Sequence, residues 1–265
     1  LNNMQLDDNG LITLERKAIL KPYKPRAHIE REHMTDEEIL ANVGATLFLN
    51  CESYPNYFLV TFKLNATDKF IQLECGEGRY FNPQFLSWLL FNYRTVGFNS
   101  LSYDMLVIWL AYHNPDAVIL KEATEDIIIG GIRDWELQKK YEFKTFKINH
   151  IDLIEVAPLK GSLKLYGARL HTKSIQEQPF DINADLSEDQ IKELKQFNCN
   201  QLYITQELFD FMKERLELRE ALGNEYHENL MSKSDAQIAE VILAKEIGKL
   251  NGKYPKRQDV EPGTV

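Results

Sequence analysis

The sequence predicts an α/β fold in which helices flank a mixed β-sheet. Three apolar segments, 44–50, 57–64 and 69–75, follow one another with short turn-like connections, which is typical of an antiparallel meander. Two more strand patterns, 95–99 and 146–153, stand between segments of helical periodicity. This order of three strands, helix, strand, helices, strand and helices indicates one α/β layer with a mixed sheet.

Residues 1–42 are predicted to form an N-terminal arm and one short helix. The arm carries the basic segment "LKPYKPR" at 20–26, which could either touch a phosphate backbone or remain a solvated arm. Thr35 and Glu38 have the spacing of a capping box, so a helix is expected to start there.

Residues 43–230 are predicted to form the main domain. Its expected helices lie at 82–93, with Pro83 near the first turn, at 102–113, within 115–142, and at 162–170, 187–197 and 200–222. Residues 231–265 are predicted to hold a last helix, 232–250, and the start of a linker to a further domain. The pairs Ser187 with Gln190 and Ser234 with Gln237 give two more capping boxes.

Net charge, the length of apolar runs and cysteine spacing restrict the classes of protein to which this chain can belong. The net charge is −9, whereas a protein that binds nucleic acid mainly by neutralising phosphates is usually basic. No run of 18 apolar residues predicts a membrane span, so no membrane partner is expected. Three cysteines without paired spacing favour free thiols and a cytoplasmic location.

Residues at three places form a candidate functional site. Asn50 and Glu52 leave the same face of the first strand, while Cys51 points to the opposite face and is expected in the core. Carboxylates so placed commonly hold a divalent metal, but here one of the two is an amide. The pair is therefore open to three interpretations: a metal site, a metal site that has lost a ligand, or the polar edge of a strand.

The second and third places lie further along the chain. Asn99, Tyr103 and Asp104 stand where the fourth strand runs into a helix, with Asp104 in the first helical turn. Phe197 and Gln201 lie one helical turn apart and so share a face of a late helix.

Together these motifs resemble the 3′–5′ proofreading exonuclease domain of phage-type family A DNA polymerases, a member of the DEDD exonucleases on the ribonuclease-H-like fold. The resemblance covers roughly 43–245 and includes the flanking segments "HIDLIEVAPLKGSLKLYGARLH" and "LMSKSDAQIAE". The second motif matches at all three positions. The chain departs from the family elsewhere: the family has Asp at the position of Asn50, Tyr at that of Phe197 and Asp at that of Gln201.

The resemblance implies a function and a role for each position. Family members hydrolyse the 3′-terminal nucleotide of single-stranded DNA with two Mg²⁺ or Mn²⁺ ions held by carboxylates. The implied metal positions are Asn50, Glu52, Asp104 and Gln201, the implied water-orienting position is Phe197, and the implied substrate-binding residues are Asn99 and Tyr103. The implied partners are a single-stranded DNA 3′ end and a polymerase domain of the same chain, in a phage protein acting inside its host cell.

The departures predict a weakened site. Asn50 and Gln201 are neutral and Phe197 has no hydroxyl, so we expect at most one weakly held metal and strongly reduced or absent hydrolysis. Two hypotheses remain open. The chain is an exonuclease module, active or silenced at Asn50, or it is a catalytically dead domain that binds DNA or supports the polymerase. Asp152 could replace a lost carboxylate, although bonding to neighbouring backbone is the more frequent role.

Overall fold

A computed structural model describes residues 5–6, 12–13, 31–65, 67–158 and 161–252. The basic segment 20–26 lies outside these residues. The strands are β1 Gln5–Leu6, β2 Ile12–Thr13, β3 Thr46–Tyr54, β4 Tyr57–Leu64, β5 Phe70–Gly76, β6 Arg94–Gly97 and β7 His150–Asp152. The helices are α1 Asp36–Ala41, α2 Pro83–Asn92, α3 Asp104–His113, α4 Ala117–Ile128, α5 Asp134–Lys140, α6 Leu153–Val156, α7 Leu163–Arg169, α8 Glu188–Phe211, α9 Lys213–Tyr226 and α10 Asp235–Asn251.

Five strands form the main sheet in the order β5-β4-β3-β6-β7. The β3, β4 and β5 strands pair antiparallel, and β3, β6 and β7 pair parallel. The predicted meander and the predicted mixed sheet are therefore confirmed. The β4 strand is buried along its whole length, which explains why "YFLVTFKL" shows no alternation of polar and apolar residues.

Strand β3 divides its side chains between two layers. Leu47, Leu49 and Cys51 pack with the apolar residues of α2, α3 and α4. Phe48 packs on the other side with residues of α8, so Asn50 and Glu52, which share its parity, face the α8 layer. The expectation that Cys51 lies in the core is confirmed.

The capping boxes at Thr35 and Ser234 are present, and Gln190 accepts a hydrogen bond from the Ser187 N–H. These local signals therefore place three helix starts correctly. The predicted break between 197 and 200 is wrong, because α8 continues through that segment and ends at Phe211. Asn198 and Asn200 are poor helix formers, but both are buried, Asn198 against Glu52 of β3 and Asn200 against Arg31, and packing overrides propensity there. The break falls at Met212, which is buried with Leu216 in the core under β3 and β6.

Two other boundaries differ from the predictions. The helical segment 115–142 is divided into α4 and α5, and Gly131 between them adopts a left-handed conformation with φ of 60°. The strand predicted over 146–153 is reduced to His150–Asp152, because β6 offers only Thr95–Gly97 for parallel pairing. Phe146 instead packs edge-on against Trp109, with ring centroids 5.1 Å apart.

Across the described ranges, no helix is both long and apolar enough to cross a bilayer.

Candidate functional site

The first motif lies where β3 extends beyond its parallel neighbour. The β3–β6 pairing ends at Phe48, so the next part of β3 has no strand on that side. The Cys51 N–H donates instead to the Asp104 carboxylate, with 2.9 Å between Cys51 N and Asp104 Oδ1. The open edge of β3 thus brings the first and second motifs together.

The second motif forms the turn from β6 into α3. A Cβ on Gly97 would lie 2.4 Å from Ser100 Oγ, so this tight turn requires glycine. Asn99 has φ of 56°, a conformation that asparagine tolerates better than most residues. Asp104 then occupies the first turn of α3, where the helix dipole favours a carboxylate.

The third motif lies on α8. Phe197 is buried and packs with Tyr54 and Tyr57 of the β3–β4 hairpin, whereas Gln201 is only half-buried. Both side chains face the same cavity as the first two motifs.

One cavity of about 710 Å³ collects all seven predicted site residues. They are Asn50, Glu52, Asn99, Tyr103, Asp104, Phe197 and Gln201. These residues span more than half of the chain, and nothing in their local sequence forces them together. The cavity also has apolar walls from Phe98, Ile127, Ile128, Ile132 and Leu163.

Three side-chain amides surround Glu52. Its carboxylate accepts from Asn50 Nδ2 and Asn198 Nδ2, both at 3.4 Å, and from Gln178 Nε2 at 3.3 Å. Burial raises the pKa of Glu52 to about 7, while the three amide bonds act in the opposite direction. The carboxylate is therefore held by neutral donors, and burial favours its protonated form.

Asp104 is the second carboxylate of the cavity. It is buried, and burial raises its pKa to about 7; the hydrogen bonds from Cys51 lower it, and the charges of Glu52 and Asp152 raise it further. Tyr103, its neighbour, is bonded through the hydroxyl to Thr124 Oγ1 at 3.3 Å, and burial raises the pKa of this phenol well above its usual value.

Asp152 does not replace a lost ligand. Its carboxylate accepts from three backbone N–H groups, those of Asn99 at 2.7 Å, Leu101 at 2.8 Å and Ile154 at 3.2 Å. It is absent from the lining of the cavity. Bonding to neighbouring backbone, the more frequent role, is confirmed.

The donor set fits a pair of divalent ions poorly. Glu52 and Asp104 are the two carboxylates that line the cavity, and Asn50 turns an N–H toward Glu52. Within the described part of the chain, no group of three or more His, Cys, Asp or Glu residues is arranged to hold a metal. Two hard ions need more anionic oxygen than this.

Sequence reasoning missed two residues of the site, Gln178 and Asn198. Asn198 lies three residues before Gln201 on α8, so helical periodicity could have assigned it to the same face. Gln178 lies in the loop between α7 and α8, where no periodic pattern predicts the direction in which a side chain points. It also donates to the Tyr54 hydroxyl at 2.7 Å, and this bond positions it over Glu52.

No protein-family model, no curated protein and no solved structure matches this chain. The proposed relationship to polymerase exonucleases therefore rests on the motif residues and on the cavity that they line.

Proposed function

We propose that this chain is a proofreading-exonuclease-like module of a phage-type family A DNA polymerase. It binds the single-stranded 3′ end of DNA in the cavity and has strongly reduced or absent hydrolytic activity. The convergence of all seven predicted residues in one cavity carries the proposal. The sheet order β5-β4-β3-β6-β7, antiparallel and then parallel, is consistent with the ribonuclease-H-like fold of that family.

The chemistry of the cavity suits an unpaired nucleotide. The apolar walls formed by Phe98, Ile128 and Leu163 can pack against a base, and the amides of Asn50 and Gln201 can donate to or accept from its polar edge. In the part of the chain that the structure describes, neither Lys nor Arg lines this cavity. Binding is therefore weak and depends only modestly on salt.

The same geometry supports the proposal that hydrolysis is strongly reduced or absent. Burial raises the pKa of both carboxylates, which weakens their negative charge at neutral pH relative to that of exposed carboxylates. We infer at most one weakly bound Mg²⁺ or Mn²⁺. Phe197 offers no hydroxyl to orient a water molecule, so the chain's own residues bind the 3′ end without activating a nucleophile.

One observation favours a second candidate function. The three amides that surround Glu52 satisfy it without a metal, as expected of a domain kept to bind DNA or support the polymerase domain rather than to cleave.

A matched pair of variants tests the binding function. Ile128 lines the cavity and is 61% exposed, while the adjacent Ile129 is 74% exposed and does not line it. In fluorescence anisotropy with a short single-stranded oligonucleotide, Ile128→Ser should weaken binding about fivefold, since base packing on apolar side chains is lost. Ile129→Ser should bind like the unmodified chain. Equal affinity of the two variants would contradict the proposed cavity, and rapid Mg²⁺-dependent shortening of the oligonucleotide would contradict the loss of hydrolysis.

A further inference from the structure

A second cavity, of about 310 Å³, lies on a neighbouring face of α8 and is rich in hydrogen-bond donors. The residues that matter are Arg31, which precedes α1; Thr172, Lys173 and Ser174, which follow α7; and Asn200 and Glu207 on α8. Guanidinium, ammonium and hydroxyl groups converging on one cavity are the usual means of binding an oxyanion.

Arg31 is fixed in place by neutral partners. Its Nη1 donates to the Tyr203 hydroxyl at 3.3 Å and its Nη2 to Asn200 Oδ1 at 3.2 Å, and Cζ lies 5.3 Å from the centroid of the Tyr203 ring. No carboxylate in the described ranges forms an ion pair with Arg31. Its positive charge at the cavity is therefore not offset by a direct ion pair with a described carboxylate.

Two polar atoms of this cavity are buried and have no hydrogen-bond partner: Arg31 Nε and Thr172 Oγ1. A buried unpaired donor is costly and uncommon in native proteins, so two of them in one cavity indicate a missing acceptor. Lys173, which is exposed and forms no ion pair with another described residue, adds a second cation at the opening.

The charges favour an anion over a cation. Arg31 and Lys173 contribute two positive charges, and Glu207 at the rim contributes one negative charge. A ligand with several acceptor oxygens matches this number of donors. We propose that the cavity binds a phosphate group, supplied either as free phosphate or by the backbone of a nucleic acid strand.

The nucleic acid backbone as the source of the phosphate rests on the proposed function. Asn200 and Gln201 are consecutive on α8, and the first faces this cavity while the second faces the central one. A strand whose 3′ end occupies the central cavity can thus place a backbone phosphate against Arg31 and Lys173.

Calorimetric titration of the full chain with inorganic phosphate tests the site itself. Lys173→Ala should weaken phosphate binding about fivefold and Thr172→Val about threefold, while Glu207→Gln should tighten it about threefold. Lys144→Ala, which removes an exposed charge that does not line the cavity, serves as the charge-matched control and should change nothing.

Thr172→Val separates ligand binding from a structural role. It removes a hydroxyl that has no partner in the free chain, so thermal stability without phosphate should stay the same or rise. The stabilisation that phosphate gives should fall in the same variant. Absence of phosphate binding, or Thr172→Val and Lys173→Ala variants that bind like Lys144→Ala, would overturn the proposal.

The same variants titrated with a single-stranded oligonucleotide identify the source of the phosphate. Weaker oligonucleotide binding by Lys173→Ala assigns the site to a strand backbone, and unchanged binding assigns it to free phosphate. If phosphate binds but the oligonucleotide does not, the proposed function fails while this site stands.

Discussion

Asp152 and Glu52 lie near the ends of strands, and each carboxylate accepts hydrogen bonds from three N–H groups. The two carboxylates nevertheless have different roles. The donors of Asp152 belong to the backbone of the β6–α3 turn and of α6, at 2.7 to 3.2 Å, and cannot leave without local unfolding. The donors of Glu52 are side-chain amides at 3.3 to 3.4 Å, and two of them, Asn50 and Gln178, line the cavity and can rotate away, whereas Asn198 is buried. The first carboxylate is thus built into the fold, and the second is available for exchange with a ligand.

The largest expected effect comes from restoring charge around Glu52. Asn50→Asp combined with Gln201→Asp should give Mn²⁺ binding and raise 3′–5′ cleavage of single-stranded DNA by about a thousandfold, since metal-ion catalysis contributes several kcal/mol. Calorimetry with Mn²⁺ beside a cleavage assay measures both.

The single variants serve as controls for that experiment. Asn50→Asp or Gln201→Asp alone should do little, because ligands that act as a unit are non-additive. Phe197→Tyr alone should be silent, because its hydroxyl has no metal-bound water to orient, but it should add to the rate of the double variant. If the double variant binds Mn²⁺ no more tightly than the unmodified chain, the assignment of these positions as ligands is wrong.

The next effect concerns stability. Asp152→Ala leaves three backbone N–H groups without their acceptor and should lower the free energy of unfolding by about 3 kcal/mol. Glu52→Ala frees the amides of Asn50 and Gln178, which can turn to water in the cavity, and leaves one buried amide, that of Asn198, without its acceptor, so its cost should be about 1 kcal/mol. Urea denaturation of both variants makes the comparison, and equal losses would show that the distinction between the two carboxylates is false.

A third effect is expected on the pH dependence of stability. The pKa values of Glu52 and Asp104 rise from 4.5 and 3.8 to about 7 on folding, so the folded state binds more protons between pH 4 and 7. Their contribution to the free energy of unfolding therefore decreases by roughly 3 to 4 kcal/mol for each group as pH rises through that window, and it is constant above it.

The difference between the unmodified chain and Glu52→Gln isolates the share of Glu52. Denaturation at pH 4.5 and pH 7.5 should show the variant gaining stability relative to the unmodified chain as pH rises. If the variant instead gained stability relative to the unmodified chain as pH falls, folding would lower the pKa of Glu52.

The smallest effect should follow from removing one amide. The Gln178 bond lowers the pKa of Glu52, so Gln178→Ala should raise that pKa by a few tenths of a unit. Gln176→Ala, in the same loop but bonded to Ser174, should leave it unchanged. Side-chain carbon NMR titration of Glu52 distinguishes the two, and a shift of equal size in both would assign the effect to the loop as a whole.

Local patterns were sufficient for much of the fold. The capping boxes, the meander and the turn at Asn99 depend on neighbours within a few residues, so periodicity and turn chemistry predict them. The same holds for the parity of Asn50, Cys51 and Glu52 on β3, which follows from strand geometry alone. The continuity of α8 through 198–200 could not be predicted, because the burial of Asn198 and Asn200 outweighs their low helix propensity.

The sequence by itself determined which residue types are present at the candidate site, where Glu52 and Asp104 are the carboxylates among the described lining residues. Only the tertiary structure decided what surrounds them. Gln178 reaches Glu52 from 126 residues away, and Arg31 reaches Asn200 across 169 residues, distances along the chain at which no local pattern carries information. Hydrogen bonds and charges act through space over a few ångströms, so they follow from the assembled fold and not from the order of residues.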